Sequence, residues 1–463
     1  MEKRMLRPAN VGRCGMWICV AIFWLGLSGS ANALPSFARQ TGMACAMCHT
    51  QAFGPNLTSY GRQFKLNGYT WGNNESLLSR LGGMAMGSFT NTKKDNPDLA
   101  NPEDQALANR QYNANNNLAM DQASAFFGGR VFKQLGAFIQ FTYDGVGSAF
   151  ALDNTDIRIS DQADLLGQNF VYGLSFNNNP SVQDLWNTTP AWGFPYVGSP
   201  LANGPSAGPA ISSFDTKLGG ATLYTMVNDI LFVEAGAYTN FSRSLQKGMG
   251  YRDISKLDGG APYWRIALQK EWQGHYVSLG HFGFRANVLP DPTVALTDRY
   301  TDLGLDFNYQ YLANPKHIYE FKASYIREQQ ELGASYNANF DPENPSGASS
   351  FNQQLGFLGL NGSYTFDQTY SASVGFNHIY GNKDLGLYSN VPNKPNSEFF
   401  TFELDYVPFG KTASTGAASY LNLRFAAQYV AYTKLDGADK NYAGPNTSAS
   451  DNNTLYFNTW LSF

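Results

Sequence analysis

The sequence predicts an all-β fold, a transmembrane antiparallel barrel of about sixteen strands. Three observations carry this. From about Arg80 onward, apolar and polar residues alternate with a period of two rather than a helical repeat. The gaps between the alternating stretches are tight and long by turns. Aromatic and charged residues each make up 15% of the chain, whereas charged residues usually reach about a quarter. Past the first thirty-three residues, no run reaches the roughly eighteen apolar residues that a spanning helix needs. Such a chain crosses a bilayer with strands, whose apolar residues are diluted by alternation.

Residues 1–33 read as a cleaved signal peptide. Lys3, Arg4, Arg7 and Arg13 precede an apolar run from Met16 to Leu27, and Ala31-Asn32-Ala33 forms an A-x-A cleavage site. Its removal takes Cys14 and Cys19 away, so Cys45 and Cys48 are the thiols of the mature chain and no disulfide framework is expected. The leader carries Glu2 against four cations, and its loss moves the net charge from −4 to −7. No basic patch or stripe is visible, which argues against a nucleic-acid partner.

Residues 34–79 carry the chemistry. Cys45-Ala46-Met47-Cys48-His49 is a C-x-x-C-H motif. Two thioether bonds at that spacing can pin a porphyrin edge while the adjacent imidazole reaches the iron, the attachment pattern of c-type haem. The competing readings are a disulfide, a thioredoxin-like pair and a zinc site. A redox pair expects a βαβ context, and zinc needs further ligands, yet no other His or Cys follows before His275. Export also delivers the motif to the compartment where such haem is attached. One c-type haem is therefore the expected cofactor.

So short a segment rarely stabilises itself, and a sixteen-stranded barrel encloses ample space. The segment is accordingly expected inside the lumen as a plug. Thr58 or Ser59 would cap a helix over Tyr60 to Asn67 that ends at Gly68. Phe37, Phe53, Leu57 and Phe64 would pack on the porphyrin. Arg39, Arg62 and Lys65 would either neutralise its propionates or stand as solvated surface charge. The candidates for the second axial ligand are Met84, Met86, His275 and His281, with Met preferred. Met43 and Met47 lie too close to the attachment site, and His317 and His378 read as interfacial residues.

Residues 80–463 form the barrel. Strands are expected near 80–90, 119–131, 134–144, 154–160, 169–177, 213–225, 230–240, 260–271, 274–285, 299–311, 316–329, 351–366, 370–381, 397–408, 419–433 and 453–463. An Arg or Lys facing the bilayer midplane costs roughly 2–4 kcal/mol. The faces that carry Arg424 and Lys322 should therefore line the lumen, and the apolar faces should meet lipid. The tight gaps at Lys133, 227–229, Gln273 and 313–315 mark the periplasmic side. The long gaps, such as 91–118 and 178–212, mark the outside. The chain closes on Phe463, with Leu461 and Phe457 on the same face.

Around the motif, Leu34-Pro35-Ser36-Phe37-Ala38-Arg39-Gln40-Thr41-Gly42-Met43 and Tyr60-Gly61-Arg62-Gln63-Phe64-Lys65-Leu66-Asn67-Gly68-Tyr69 complete a stretch that resembles the fused monohaem cytochrome–porin family. That family includes outer-membrane iron oxidases of iron-oxidising bacteria. The resemblance implies a haem domain joined to a porin-like barrel in the bacterial outer membrane. It also implies electrons taken from extracellular Fe(II) and passed to a periplasmic cytochrome or similar carrier. By position, Cys45, Cys48 and His49 would be the haem-binding residues. The sequence departs from the family at Phe53-Gly54-Pro55-Asn56, where an aromatic-Pro-Glu run is expected.

The leading expectation is thus an electron conduit, with an oxidoreductase activity toward Fe(II). Asp95, Asp98, Glu103 and Asp104 form an acidic cluster that would either attract Fe(II) or serve as a solvated loop. An electron conduit for a donor or acceptor other than iron is one alternative, and a diffusion porin with a haem-bearing plug or gate is a second class. A haem peroxidase is a third, and no distal His or Arg pair stands near the motif to support it.

Overall fold

The computed structural model describes residues 35–72, 77–100, 112–214, 216–250, 256–290, 295–337, 347–411 and 421–463. The leader, Glu103 and Asp104 lie outside these residues, as does the side chain of Asp98.

Sixteen antiparallel strands close into one barrel in simple sequence order, with β1 pairing β16. They are β1 Leu81–Thr92, β2 Asn117–Arg130, β3 Leu135–Asp144, β4 Ala149–Leu165, β5 Gln168–Asn177 and β6 Leu218–Val227. Then come β7 Leu231–Asn240, β8 Ala261–Trp272, β9 His275–Val288, β10 Asp298–Tyr311 and β11 His317–Leu332. The wall is completed by β12 Asn352–Phe366, β13 Tyr370–Gly381, β14 Ser397–Tyr406, β15 Asn422–Lys434 and β16 Thr454–Ser462. Among the described residues no helix is long and apolar enough to cross a membrane.

Alternation decides which way each side chain points. Arg424 and Lys322 are buried inside, as their cost in lipid requires. Arg424 pairs with Glu403 at 2.7 Å and Asp405 at 2.6 Å. Leu268, Leu279, Leu305 and Leu404 on the opposite faces are more than half exposed. An aromatic girdle rings the tight-turn end: Tyr311 meets Tyr319, Tyr319 meets Tyr364 and Tyr370 meets Tyr406, with centroids 5.1–6.1 Å apart. An apolar band with an aromatic girdle and a polar lumen is the build of bacterial outer-membrane barrels, and this chain is one.

The connections alternate as expected, with exceptions that have physical causes. Residues 166–167, 228–230, 273–274 and 367–369 are tight turns on one side, while 93–116, 241–260 and 435–453 are long on the other. The strand expected at 154–160 runs over Ala149–Leu165 instead. Its polar residues Asp153, Asn154 and Asp156 do not end it, because the lumen they border is itself polar. A four-residue turn precedes it, in which the Asp144 carboxylate accepts from the amides of Val146 and Gly147.

The stretch expected to begin a strand at 213 is a helical turn, Ala210–Ser213, and β6 starts at Leu218. That turn belongs to the long β5–β6 connection, which folds into the lumen. The amides of Ala210 and Ile211 donate to Glu328 and Asp302 of the wall. Ile211 and Phe214 pack there on inward-facing Tyr238, Tyr263, Phe282 and Phe284. The interior is therefore apolar at this point, where alternation alone suggests a wet lumen.

Candidate functional site

Among the described residues three short α-helices precede the barrel, α1 Pro35–Thr41, α2 Cys45–Cys48 and α3 Ser59–Leu66, followed by a 3-10 turn at Leu77–Arg80. Gly42, with φ of +70°, ends α1 in the left-handed region that favours glycine. Thr58 caps α3 by accepting from the amide of Gly61 at 3.3 Å, and Asn67 and Gly68 end it. The residues after the motif fold back on it. Thr58 N donates to the Cys48 carbonyl at 2.9 Å, and Thr50 N donates to the Asn56 carbonyl at 3.1 Å. His49 and Leu57 are thereby paired side by side. At Gly61 the crossing of α3 over α2 is so close that a Cβ would lie 2.3 Å from the Cys48 carbonyl oxygen.

Barrel side chains hold this segment from inside the wall. Gln368 donates to the Ala46 carbonyl at 3.0 Å, Asn422 to the Ala52 carbonyl at 2.9 Å, and Lys322 to Asn56 Oδ1 at 2.8 Å. Tyr224 donates to the Leu66 carbonyl and Tyr69 to Asp156, at 2.8 and 2.7 Å. The inward connection contributes Asn187, which donates to the Pro55 carbonyl at 2.6 Å, and Tyr196, which bonds Asn56.

Between segment, wall and inward connection lies a cavity of about 350 Å³. Cys45, Cys48 and His49 all line it. Neither cysteine is in a disulfide. Burial pushes the Cys48 thiol up to about 11. The His49 imidazole is driven down to about 4 by burial, against the nearby carbonyls of Gly54 and Asn56. It is thus neutral near pH 7, the form in which histidine ligates a metal. Its Nδ1 is buried with no hydrogen-bond partner. Among the described residues no group of three or more His, Cys, Asp or Glu side chains could cage a bare ion.

Of the other expected site residues, Phe37, Phe53, Leu57, Phe64 and Lys65 line the cavity. Phe64 meets Phe37 edge-on with centroids 5.0 Å apart. Lys65 donates to the carbonyls of Val182 and Asp184 at 2.8 and 2.5 Å and to Asn187 Oδ1 at 3.1 Å. Burial, aided by Arg158, still drives its ammonium down to about 7, with Asp156, Asp184 and Glu234 opposing.

Arg39 and Arg62 stand elsewhere. Arg39 donates to the carbonyls of Ser79 and Leu81 at the start of the barrel. Arg62 donates to the Leu57 carbonyl and to Gln310, both at 2.7 Å, and stacks 3.5 Å above the Tyr276 ring. Both serve as anchors. In the first loop, Asp95 accepts from Asn115 at 3.1 Å.

The ligand candidates separate cleanly. Met84 is buried on the inner face of β1 and lines the cavity, whereas Met86, two residues on, does not. His275 and His281 are on the outer face of β9 and cannot reach the lumen. His275 stacks on Trp272 and bonds Tyr309 at 3.0 Å within the girdle. His281 bonds the Gly304 carbonyl and accepts from Trp264. His317 and His378 are likewise on outer faces, beside Tyr364 and Glu398.

Sequence reasoning missed Trp460, Gln122, Trp192 and Tyr196, which also line the cavity. For Trp460 a signal existed: it alternates with Phe457 and Leu461, so it faces inward.

No family model matches the chain, and no curated protein matches it. Solved structures similar to it include three outer-membrane proteins. OmpF of Salmonella typhi, in a complex with daunomycin, is 14% identical with a TM-score of 0.45, covering 83% of this chain and 97% of that one. An anion-selective porin from Comamonas acidovorans is 11% identical with a TM-score of 0.44, covering 82% and 98%. A loop-deletion mutant of OmpT from Vibrio cholerae is 10% identical with a TM-score of 0.41, covering 83% and 97%. Likeness at this level carries no information about the cavity.

Proposed function

We propose that the chain is an outer-membrane electron conduit of the fused cytochrome–porin kind. It takes electrons from an extracellular donor, Fe(II) foremost, and delivers them to a periplasmic carrier. Cys45 and Cys48 would bind one c-type haem covalently and His49 would be its proximal ligand. When bound, such a haem supplies reversible one-electron transfer. The observation that carries the reading is the convergence of both thiols and a neutral imidazole on one largely apolar cavity. A metal-bound histidine normally gives its other nitrogen to a carbonyl, and the Gly54 and Asn56 carbonyls lie beside this imidazole.

The chain's own groups do the rest. Phe37, Phe53, Leu57 and Phe64 exclude water, which favours a steady potential. Lys65 lines the same cavity and ties the segment to the inward connection. The segment and the inward connection occupy the lumen together, which favours a conduit over an open pore.

The test is haem content by the pyridine haemochrome method, followed by Fe(II)-driven reduction. The parent protein should carry covalent haem that Fe(II) reduces. His49→Ala should assemble the barrel and lose that reduction. Equal reduction of variant and parent contradicts the assignment, and a haem-free protein that admits sugars to liposomes would be a diffusion porin.

A further inference from the structure

We propose that the barrel wall itself completes the haem site: the Met84 thioether on β1 is the second axial ligand, positioned by the Trp460 indole on β16. This rests on the haem reading above. Met84 is 5% exposed and shares the cavity wall with Cys45, Cys48 and His49. Trp460 Nε1 donates to Met84 Sδ at 3.1 Å, and Gln122 Nε2 points at the same sulfur from 3.9 Å. A buried thioether ordinarily relies on dispersion and aromatic contacts. Here the indole N–H, much the nearer donor, takes one lone pair and fixes the rotamer, and the second, which Gln122 only approaches from 3.9 Å, is left for the iron.

Trp460 also packs edge-on against Phe53, with centroids 5.1 Å apart, so one indole touches both the haem segment and the ligand. The other methionine of the described residues that lines the cavity is Met43. It lies two residues before Cys45, where a short backbone path leaves little freedom to reach across the cavity. Met47 is half exposed and outside the wall.

The arrangement spans the seam of the barrel. Met84 pairs in register with Ser462, and Met86 with Trp460. A slip of one residue between β1 and β16 would turn Trp460 to the lipid face. The ligand set is therefore complete only when the first and last strands have closed correctly.

The test uses the full-length haem-loaded protein in detergent. The ferric parent should be low-spin and show the sulfur-to-iron charge-transfer band in the near red. Met84→Ala should lose that band and open a site that takes up added imidazole. Met84→Leu, close in volume, carries the same test should alanine weaken assembly. Met84→His should restore a low-spin spectrum without the band and at a lower midpoint potential. Trp460→Phe should keep the band and shift the potential negative, since an N–H donor on the ligand sulfur favours the reduced state. Survival of the band in Met84→Ala overturns the proposal, as does a parent with covalent haem and no band. A parent without covalent haem overturns the functional reading instead.

Discussion

The Lys65 ammonium donates to the Val182 carbonyl at 2.8 Å, across 117 positions of the chain. The bond joins the N-terminal segment to the β5–β6 connection inside the barrel, and Arg158 reinforces it by donating to the carbonyls of Lys65 and Gln183. The segment is too short to bury itself, and the connection needs acceptors and donors from both sides.

Lys65→Met should uncouple the two. Hydrogen bonds to charged groups contribute roughly 1.5–3 kcal/mol each, and buried carbonyls left unpaired add a cost. The expected result is faster proteolysis within 178–214 and measurable sugar entry into liposomes, with the barrel intact. Unchanged proteolysis and no swelling would show that the junction bears no weight.

The inward connection has its own clasp. Asp184 accepts from the amides of Trp186, Thr188 and Thr189 and pairs with Arg265 at 3.3 Å, while Arg265 grips Asp306 at 2.8 and 2.9 Å. All three side chains are fully buried. Arg265→Ala leaves two buried carboxylates without their cation, a loss of about 3–5 kcal/mol. Heat-modifiable migration in gels should show unfolding at lower temperature. Double replacement by Asp306→Leu and Arg265→Met should recover the part owed to Asp306, while Asp184 keeps only its three amides.

How far these features could be read from sequence depends on which environment the residues answer to. The strands at 370–381 and 230–240 match closely, because lipid outside and polar groups inside impose strict alternation. The motif and the cap at Thr58 were equally legible, being local. The inward connection was not. Asn178 and Asn179 fall in the gap expected to face the outside, yet both are buried against groups remote in sequence. Tyr263, Phe282 and Phe284 point inward for the same reason. Setting the histidines apart from Met84 needed the strand register, which a one-residue slip inverts, and setting Met86 apart needed the position of the cavity along β1.

Gly61→Ala tests the local geometry of the motif. A methyl group 2.3 Å from the Cys48 carbonyl oxygen cannot be accommodated without moving α3 away from α2. Covalent haem per barrel should fall severalfold relative to the parent, measured by haem staining against folded protein. Full haem loading would mean that α3 is free to shift.

An acid response is expected in the outer loops. Burial alone would push the Asp384 carboxyl up, yet the amides of Ser349, Leu387 and Gly386 hold it below the usual carboxylate range. Through these bonds and the one from Gln353 at 2.6 Å, it ties 349–353 to 384–387. A lowered folded-state value means stability that is present above the unfolded value near 3.8 and lost as pH falls through the folded one. Amide exchange in these loops should stay slow at pH 4 and quicken only in stronger acid. Asp384→Ala should exchange fast throughout, from a loss of roughly 1–3 kcal/mol.

The central claim is that electrons cross this barrel while solutes do not. The direct measurement encloses a soluble cytochrome c in liposomes bearing the protein, adds Fe(II) outside, and follows reduction inside. The parent should reduce the enclosed cytochrome and exclude sugars, whereas a Cys45→Ala, Cys48→Ala variant should reduce it no faster than empty liposomes. Equal internal reduction with both proteins, or free passage of sugars through the parent, would contradict the account.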